Sequence, residues 1–429
     1  MNTEPPLPRY EFRGEPPGLW EMLWRGVADF PDMIPAAILN LPAVQQPGPG
    51  APLVVADPVL VREVLNNRDG RFVRDRLMHR LFRRSWGQGL AGAEGEAWQR
   101  QRHAVAPAFR PQAVAGNAAA FARAAGYAAA DWPLEEPIEL TQQTARIIAG
   151  IVFAVLVSDS AVDSAAVAAD MRGYVDRIAR FGLSDLLPLP ESWHDLLSGN
   201  FRDPAVRRVR ALAQRLAAGR SQDGAPNDLV ALLEGIGPIE DNIRGLFPAA
   251  MDTTMVGTSW TLYTLAQRPA WQEQVAAEAR SCGGDYALEA LPLTRRVAQE
   301  VLRLYPPAPL LVRSSAADGK LGGFAVRKGQ SISLHIYAMH RHRALWENPD
   351  AFDPDRFLVE RGSHPGFLPF GFGPRSCVAA HFALGEIVAV VARLLSEFEL
   401  VTTGAKPQVT LRVSTRSANG LNVVARRRA

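Results

Sequence analysis

The stretch 238–267 constrains the fold more than any other part of this chain, because it is mostly apolar on every side of a helix. A helix that is apolar all round must be covered on all sides by other elements. A chain of 429 residues is long enough to supply that cover within one large core. The sequence therefore predicts one long helix at the centre of a mainly helical protein.

Most other segments also favour helix. Asp57 before Pro58 is typical of a helix N-cap followed by an N1 proline, and the alanine-rich stretch 113–130 strongly favours helix. Further helices are predicted at 98–108, 138–157, 161–181, 204–218 and 291–305. Strand-like segments are short and lie at 53–56, 324–326, 331–337, 409–413 and 421–424. The predicted fold class is mainly α with a small β-subdomain that is fed from both ends of the chain.

Composition narrows the function classes. The formal net charge is only +3 and the arginines are scattered, which argues against a nucleic-acid partner. The first thirty residues lack a signal-peptide pattern, and no stretch has the length of a membrane span. Two unpaired cysteines fit a reducing cytoplasm. Without a linker or repeat, we expect a single domain over residues 1–429, in which residues 1–30 form an extended N-terminal arm.

The glycine-rich loop at 370–377, Phe-Gly-Phe-Gly-Pro-Arg-Ser-Cys, carries the strongest chemical signal. Its glycines let the backbone approach a flat cofactor, and Arg375 and the loop N–H groups are expected to favour the ionised sulfur of Cys377. A thiolate bound to haem iron favours O–O cleavage. The alternative is a buried cysteine that behaves as a small hydrophobic side chain.

Glu300 and Arg303 lie three residues apart on one predicted helix and can form an ion pair. Their apolar neighbours favour a buried pair, although a solvated surface pair of little energetic value is the alternative. A buried pair needs further partners. The proline-rich loop at 348–357 offers Arg356 as a second guanidinium, so this trio is expected to be structural.

Two further groups of polar residues are candidates for a functional site. Asp252 and Thr253 put an acid beside a hydroxyl in the apolar helix, which suits a proton relay. The alternative is that the threonine bonds back to a carbonyl one turn earlier. Trp98 and Arg102 lie one helical turn apart and are both donors, suited to a shared carboxylate. Arg313 could add a cation near the same anion.

The order of these motifs resembles that of the cytochrome P450 family of haem-thiolate monooxygenases, of the soluble bacterial type. The resemblance covers about 53–424 and implies a helical prism with a small β-subdomain. It implies haem b, with Cys377 as the iron ligand and Phe370 packed beside the sulfur. The same resemblance implies that four residues hold the haem propionates, namely Trp98, Arg102, Arg313 and Arg375. It also implies that three residues lock the core around the cysteine loop, namely Glu300, Arg303 and Arg356. Asp252 and Thr253 would deliver protons to dioxygen.

The chain departs from the family pattern at two places. Ala379 stands where the family usually has glycine, and a methyl group there is expected to crowd the haem or shift the next helix. Ala249 and Ala250, preceded by Pro248, stand where the family usually has Ala-Gly. Pro248 would remove a helix hydrogen bond to Arg244 and so produce the distortion that glycine otherwise permits.

The resemblance implies hydroxylation of a hydrophobic small molecule, with dioxygen as co-substrate. Because no flavin or iron–sulfur segment follows, electrons are expected from a ferredoxin and its reductase, which would dock near Arg100 and Arg110. The rival functions are a peroxide-driven peroxygenase and a haem protein that senses or carries a ligand. The walls of the substrate pocket are expected from the segments 72–90, 181–197, 306–312 and 415–418.

Overall fold

A computed structural model describes residues 5–12, 14, 34–48, 51–157, 163–178, 202–218, 228–358 and 364–428. Within these ranges the chain is mainly helical, as the sequence predicts. The segments 158–162, 179–201 and 219–227 lie outside the described residues. The predicted pocket wall at 181–197 and most of the predicted N-terminal arm therefore also lie outside them.

Thirteen α-helices are present among the described residues, and they follow one another along the whole chain. Their bounds are α1 Pro58–Asn66, α2 Arg76–Trp86, α3 Gly95–Val105, α4 Pro111–Ala129, α5 Leu140–Ile151, α6 Ser164–Ile178, α7 Pro204–Ala218, α8 Leu229–Leu233, α9 Ile239–Ala266, α10 Pro269–Ser281, α11 Pro292–Leu304, α12 Ile336–Met339 and α13 Ala380–Glu397. Short 3₁₀ turns lie at Ala36–Leu39, Ala106–Phe109 and Pro354–Phe357, and a π turn at Val152–Leu156 extends α5.

The strands are short and form four small sheets. Their bounds are β1 Ala43–Gln45, β2 Leu53–Val55, β3 Phe72–Arg74, β4 Pro137–Glu139, β5 Leu311–Ser315, β6 Gly319–Leu321, β7 Phe324–Val326, β8 Ser331–Leu334, β9 Phe398–Thr402, β10 Val409–Leu411, β11 Thr415–Ser417 and β12 Asn422–Arg427. The largest sheet has the order β1-β2-β8-β5-β3, and only its β2–β8 pair is parallel. The prediction of a β-structure fed from distant parts of the chain is confirmed.

The predicted central helix is α9, which contacts α5, α6, α7, α11 and α13. It runs from Ile239 to Ala266 and continues through Pro248. Nearly all of its second half is buried, including polar side chains such as Thr258 and Ser259. Ser259 is satisfied locally, since its Oγ donates to Met255 O at 2.7 Å and also bonds Thr144 Oγ1 at 2.6 Å, whereas Thr258 Oγ1 has no hydrogen-bond partner among the described residues. Uniform burial therefore explains the uniform apolar pattern of this stretch.

Helix ends follow the predicted capping chemistry where it was visible. The Asp57 carboxylate accepts from Val59 N–H and Leu60 N–H at 2.9 Å, so α1 begins at the proline as expected. Two segments differ from prediction. The predicted helix 138–157 begins with strand β4, because Glu139 pairs with Asn422 in β12. The predicted strand 331–337 ends at Leu334, and a short helix follows it.

The described part of the N-terminal segment is tied to the core. Tyr305 Oη donates to Pro8 O at 2.6 Å, and Tyr10 N–H donates to Tyr337 Oη at 2.9 Å. Among the described residues, no helix combines the length and apolarity that crossing a bilayer requires.

Candidate active site

The cysteine loop is shaped by its two glycines. Gly371 and Gly373 both have φ of 72°, a left-handed conformation that glycine adopts without strain. A Cβ on Gly373 would also lie 2.6 Å from Leu65 O, so the loop runs too close to α1 for any side chain there. The turn closes when Cys377 N–H donates to Phe370 O at 2.9 Å. Sequence and backbone together thus fix the position of the thiol.

The thiol of Cys377 opens onto a cavity of about 950 Å³. The side chain has exposed area, yet burial raises the pKa of the thiol. Both statements hold because the exposed surface is cavity wall rather than outer surface. A hydrogen bond from the Ala379 backbone and the charge of Arg102 act in the opposite direction. Metal binding at this sulfur would therefore release a proton.

Arg375 was expected to favour the ionised sulfur of Cys377, but its guanidinium is hydrogen-bonded elsewhere. Its Nη1 donates to Ala93 O at 2.9 Å and its Nη2 to Glu94 Oε2 at 2.8 Å. Its guanidinium lies over the Trp98 ring, 4.1 Å from the centroid. Arg102 instead supports the loop, because its Nη1 donates to Ser376 O at 2.8 Å.

Among the described residues, four arginines line this cavity, and one carboxylate lies among them. They are Arg74, Arg102, Arg313 and Arg375, and the acid is Glu94. Arg74 Nε lies 3.0 Å from Glu94 Oε1, and Arg74 is the register partner of Arg313 across β3 and β5. Burial, reinforced by the neighbouring guanidinium groups, lowers the pKa of Arg375 to about 10. Burial also lowers the pKa of Arg313, with Arg74 contributing.

The charge of this arginine cluster is suited to the carboxylates of haem. Crowded, partly buried cations with too few acids nearby suit a ligand that brings two carboxylates, as haem does in its propionates. No cluster of three His, Cys, Asp or Glu side chains in the described structure could hold a metal ion. Cys377 as an iron ligand therefore needs a macrocycle to supply the other donors. Phe370 and Trp98 line the same cavity and offer flat apolar surface.

The predicted acid–threonine pair is split in this structure. Thr253 lines the cavity, but its Oγ1 donates to Ala249 O at 2.7 Å, one turn earlier. The Asp252 carboxylate is held by Arg416 of β11, which also donates to Asp176 Oδ1 at 2.7 Å. Asp252 is not among the residues that line this cavity, whereas Thr254, two residues further along α9, is. The relay role of this pair therefore stays a prediction.

The predicted structural trio lies together in the structure. Arg303 Nε and Nη2 donate to the two oxygens of Glu300, both at 2.7 Å, and both side chains are fully buried. Arg303 also donates to three backbone carbonyls, those of His340, Pro349 and Ala351. Arg356 Nε lies 3.5 Å from Glu300 Oε1. The pair is thus a buried cross-link between α11 and the proline-rich loop.

The residues that depart from the family pattern lie in α9 and at the start of α13. Ala379 is the N-cap of α13 with φ of −100°, a conformation open to any residue, so glycine is not needed for the backbone there. Pro248 lies within the continuous helix α9, and Ala249 lines the cavity. The segment 415–418, expected in the pocket wall, instead contributes to a second cavity of about 590 Å³ beside Asp176.

Sequence reasoning missed three charged residues of the site. Arg74 and Glu94 belong to the cation cluster, and Arg416 holds Asp252. The signal for Arg74 is its place at the end of a short strand-like run, but its pairing with Arg313 crosses more than half of the chain. Arg416 gave no signal, since its partners lie on two helices far away in sequence.

Comparisons with known proteins agree with this geometry. The Cytochrome P450 family model matches residues 237–419. The chain is 31% identical over 340 residues to cytokinin hydroxylase of Arabidopsis thaliana, matching 73% of this chain and 66% of that protein. It is 29% identical over 412 residues to cyclooctat-9-en-7-ol 5-monooxygenase of Streptomyces melanosporofaciens, matching 88% of this chain and 86% of that enzyme. The chain thus spans just under two thirds of the plant relative and most of the bacterial one.

A solved structure shares the fold. The haem domain of cytochrome P450DA superposes with a TM-score of 0.75 over 90% of this chain and 89% of that domain, at 23% identity. The shared fold and the cavity beside Cys377 agree with the match to the family model. The chain belongs to the cytochrome P450 family, and haem is the cofactor of that family.

Proposed function

We propose that the protein is a haem-dependent monooxygenase that inserts one atom of dioxygen into a hydrophobic small molecule. The observation that carries this proposal is the single cavity that joins one loop-held thiol, four crowded arginines and the hydroxyls of α9. When bound, haem b supplies iron whose thiolate ligation favours O–O cleavage. The similarity to a plant hydroxylase and a bacterial monooxygenase supports the same reaction class.

Each group of residues has a distinct task in this proposal. Cys377 ligates the iron, while Arg102, Arg313, Arg375 and Trp98 hold the propionates. Phe370 shields the sulfur, and Glu300, Arg303 and Arg356 lock the core around the cysteine loop. These tasks require binding and orientation only, which rigid elements and a buried cross-link supply.

Proton delivery is assigned to Asp252 and Thr253, and it needs a rearrangement. Asp252 must leave Arg416, and the Thr253 hydroxyl must turn from Ala249 O towards the cavity. Proton transfer by positioned side chains typically contributes about 10²–10⁴-fold to rate. We therefore expect D252N and T253A to divert electrons from product to peroxide or water.

The substrate is proposed to be apolar, because much of the cavity lining is apolar. Phe82 and Trp86 stack at 4.5 Å with 12° between their planes, and Leu90 and Leu246 line the same cavity. Such surfaces favour hydrocarbon-rich molecules and give them few polar contacts. A fatty acid, terpenoid, steroid or aromatic hydrocarbon would fit this chemistry.

Electron supply is proposed to come from a separate ferredoxin and its reductase. Arg100 and Arg110 are exposed on α3 and just before α4, close in sequence to the cavity-lining Trp98. An acidic partner would dock there through complementary charge, and its association rate would fall with added salt. We further propose a cytoplasmic location and a single catalytic domain over residues 1–429.

One observation favours a second candidate. Because the acid and the threonine are both engaged elsewhere, a peroxide-driven reaction, which depends less on a relay, is also compatible with the site. Turnover with hydrogen peroxide faster than turnover with reductant, ferredoxin and dioxygen would favour that candidate.

The test of the proposal is spectroscopic first and chemical second. The reduced holoprotein under carbon monoxide should show the red-shifted Soret band of thiolate ligation, and C377S should lose it. A substrate library is then screened for the ferric spin-state change, and the hits are analysed for oxygenated products. A band that survives in C377S, or ligand binding without product under any electron supply, would reject the proposal.

A further inference from the structure

Helix α2 forms a basic wall of the cavity. Three of its side chains, His79, Phe82 and Trp86, line the cavity and recur at helical spacing on one face. The segment 76–93 contains four arginines and this histidine but no Asp or Glu. A ligand in the cavity therefore meets a wall that is partly aromatic and has no negative charge of its own.

His79 is the polar member of that face. Its ring makes no hydrogen bond or ion pair within the described part of the chain. Arg76 lies three residues before it and Arg83 four residues after it, so the two arginines flank the imidazole one turn to either side. Both are exposed, and neither has an acidic partner among the described residues. The edge of α2 where lining and exposed side chains meet is therefore cationic and free to bind an anion.

The acids that approach α2 are already engaged. Asp75, the N-cap of α2, accepts from the Ser314 hydroxyl at 2.7 Å and from the Ser331 hydroxyl at 2.6 Å, besides two N–H groups of the helix. Asp241 of α9 accepts from a backbone N–H just after α2 and is paired with Arg244. The bonds of Asp75 also join α2 to β5 and β8, so the basic wall is fixed to the sheet that carries part of the cation cluster.

The cations of the cavity exceed its acids even when haem is bound. Arg74 and Arg375 share Glu94 as their acidic partner. Four arginines and one glutamate leave three positive charges on the lining, and the two propionates of haem would neutralise two of them. The thiolate of Cys377 does not alter this balance, because the ferric iron that it binds offsets its charge. The remaining cation, together with the exposed arginines of α2, favours a ligand that brings a further negative charge.

The aromatic part of the wall suits an apolar ligand body. Phe82 and Trp86 stack face to face, and Arg74 Cζ lies 5.4 Å from the centre of the Phe82 ring. Aromatic surface and positive charge thus lie side by side on the α2 wall. Pockets that combine a mostly apolar lining with a few polar groups fix the orientation of a ligand through those polar groups. An amphipathic anion fits this arrangement better than a neutral hydrocarbon does.

We propose that the substrate is an apolar carboxylic acid whose carboxylate is held at the edge of α2 by His79, Arg76 and Arg83. This inference rests on the proposed monooxygenase function and narrows its substrate class. The imidazole N–H donates to the carboxylate, and the two guanidinium groups attract it through their charge. The apolar body of the acid packs along Phe82 and Trp86. These residues determine specificity and take no part in the chemical step.

The first test measures binding and does not depend on turnover. The ferric holoprotein is titrated by calorimetry with dodecanoate and with its methyl ester, which keeps the chain but lacks the charge. We expect the ester to bind about 10-fold more weakly, because it loses charge-assisted hydrogen bonds. Added salt should reduce this difference, since it screens the exposed arginines. Equal affinities for the acid and the ester would overturn the proposal.

Variants of α2 test which side chains hold the charge. H79L should weaken dodecanoate binding about 10-fold and R83Q about 3-fold, because the first removes a hydrogen bond to a charged group and the second an exposed ion pair. The methyl ester should bind both variants as it binds wild type. R123Q removes an exposed arginine of α4 that does not line the cavity, and it should bind dodecanoate as wild type does. Equal weakening of acid and ester in R83Q, a surface variant that leaves the core intact, would refute the proposal.

Two other uses of these residues would give different results. If H79L lowers haem affinity but not dodecanoate affinity, the histidine belongs to the propionate site and the proposal fails. If the double variant R76Q/R83Q loses binding to phosphatidylglycerol vesicles but keeps wild-type affinity for dodecanoate, the arginines serve a lipid surface and the proposal fails. Failure of the monooxygenase function is distinct from both, because the acid would then bind with the expected preference over its ester but give no oxygenated product under any electron supply.

Discussion

Acid should destabilise the protein through His340, a buried histidine between the end of α11 and the cysteine loop. Its Nδ1 lies 3.1 Å from Arg303 O, and its Nε2 accepts from Leu368 N–H at 3.0 Å. Burial lowers its pKa to about 3, and the charge of Arg303 acts in the same direction. A proton on Nε2 would meet an N–H group that already points at that atom. The native state therefore keeps the ring neutral.

The size of the effect follows from the two pKa values. In the unfolded chain a histidine titrates near pKa ~6.5. Since the native pKa is lower, the unfolded state binds more protons below that pH, and stability falls until about pH 3. At about pH 5 the loss is about 2 kcal/mol, at ~1.36 kcal/mol per pH unit. Burial likewise lowers the pKa of His335 to about 3, so a similar loss is expected from that residue.

The assay is urea unfolding of the holoprotein at about pH 7.5 and about pH 5, with free energies taken from the midpoint and the slope. In H340Q, which cannot titrate, the loss of stability between these two pH values should be smaller by about 2 kcal/mol. H103Q replaces an exposed histidine of α3 and should behave as wild type does. Equal losses in H340Q and wild type would refute the assignment.

Three further outcomes are expected. E300A should lower the free energy of unfolding by about 3–5 kcal/mol, because it leaves the buried guanidinium of Arg303 unpaired. The control E397A should change it by less than ~0.5 kcal/mol. Equal effects of the two variants in urea unfolding would contradict this. G373A should impair haem retention more than G371A, because both have φ of 72° but only the first places a Cβ against a backbone oxygen; the haem-to-protein ratio of purified variants decides. R375Q should weaken haem affinity about 10- to 100-fold in haem-transfer measurements, and unchanged affinity would remove Arg375 from the propionate site.

The long-range plan of the fold was predictable because it depends on a strong local signal. Uniform apolarity identified α9 as central, and the Asp57–Pro58 pair located the start of α1 to the residue. The strand β4 was missed for the opposite reason. Its three residues have no period of their own and become a strand only because β12 pairs with them.

The candidate site also has parts that the sequence predicts and parts that it does not. The cysteine loop and the Glu300–Arg303 pair are visible in sequence because each is encoded within a few residues. The ion pair between Arg416 and Asp252 joins a hairpin to α9, and the cation cluster joins β3 to β5. No local pattern can report contacts of that kind. The raised thiol pKa of Cys377 was also hidden, since it depends on the depth of the cavity rather than on the neighbouring arginine.

The hydrogen bond between Arg102 and Ser376 joins residues that are 274 positions apart, and this spacing has a consequence for biosynthesis. Ribosomes add about 5–20 residues per second, so roughly 15 to 55 seconds separate the emergence of the two halves of the haem cradle. If Arg102 binds a propionate and Cys377 the iron, as proposed, the first half of the site cannot hold haem securely until the second half has been made. Haem supply during translation is therefore expected to matter less than haem supply after the chain has left the ribosome.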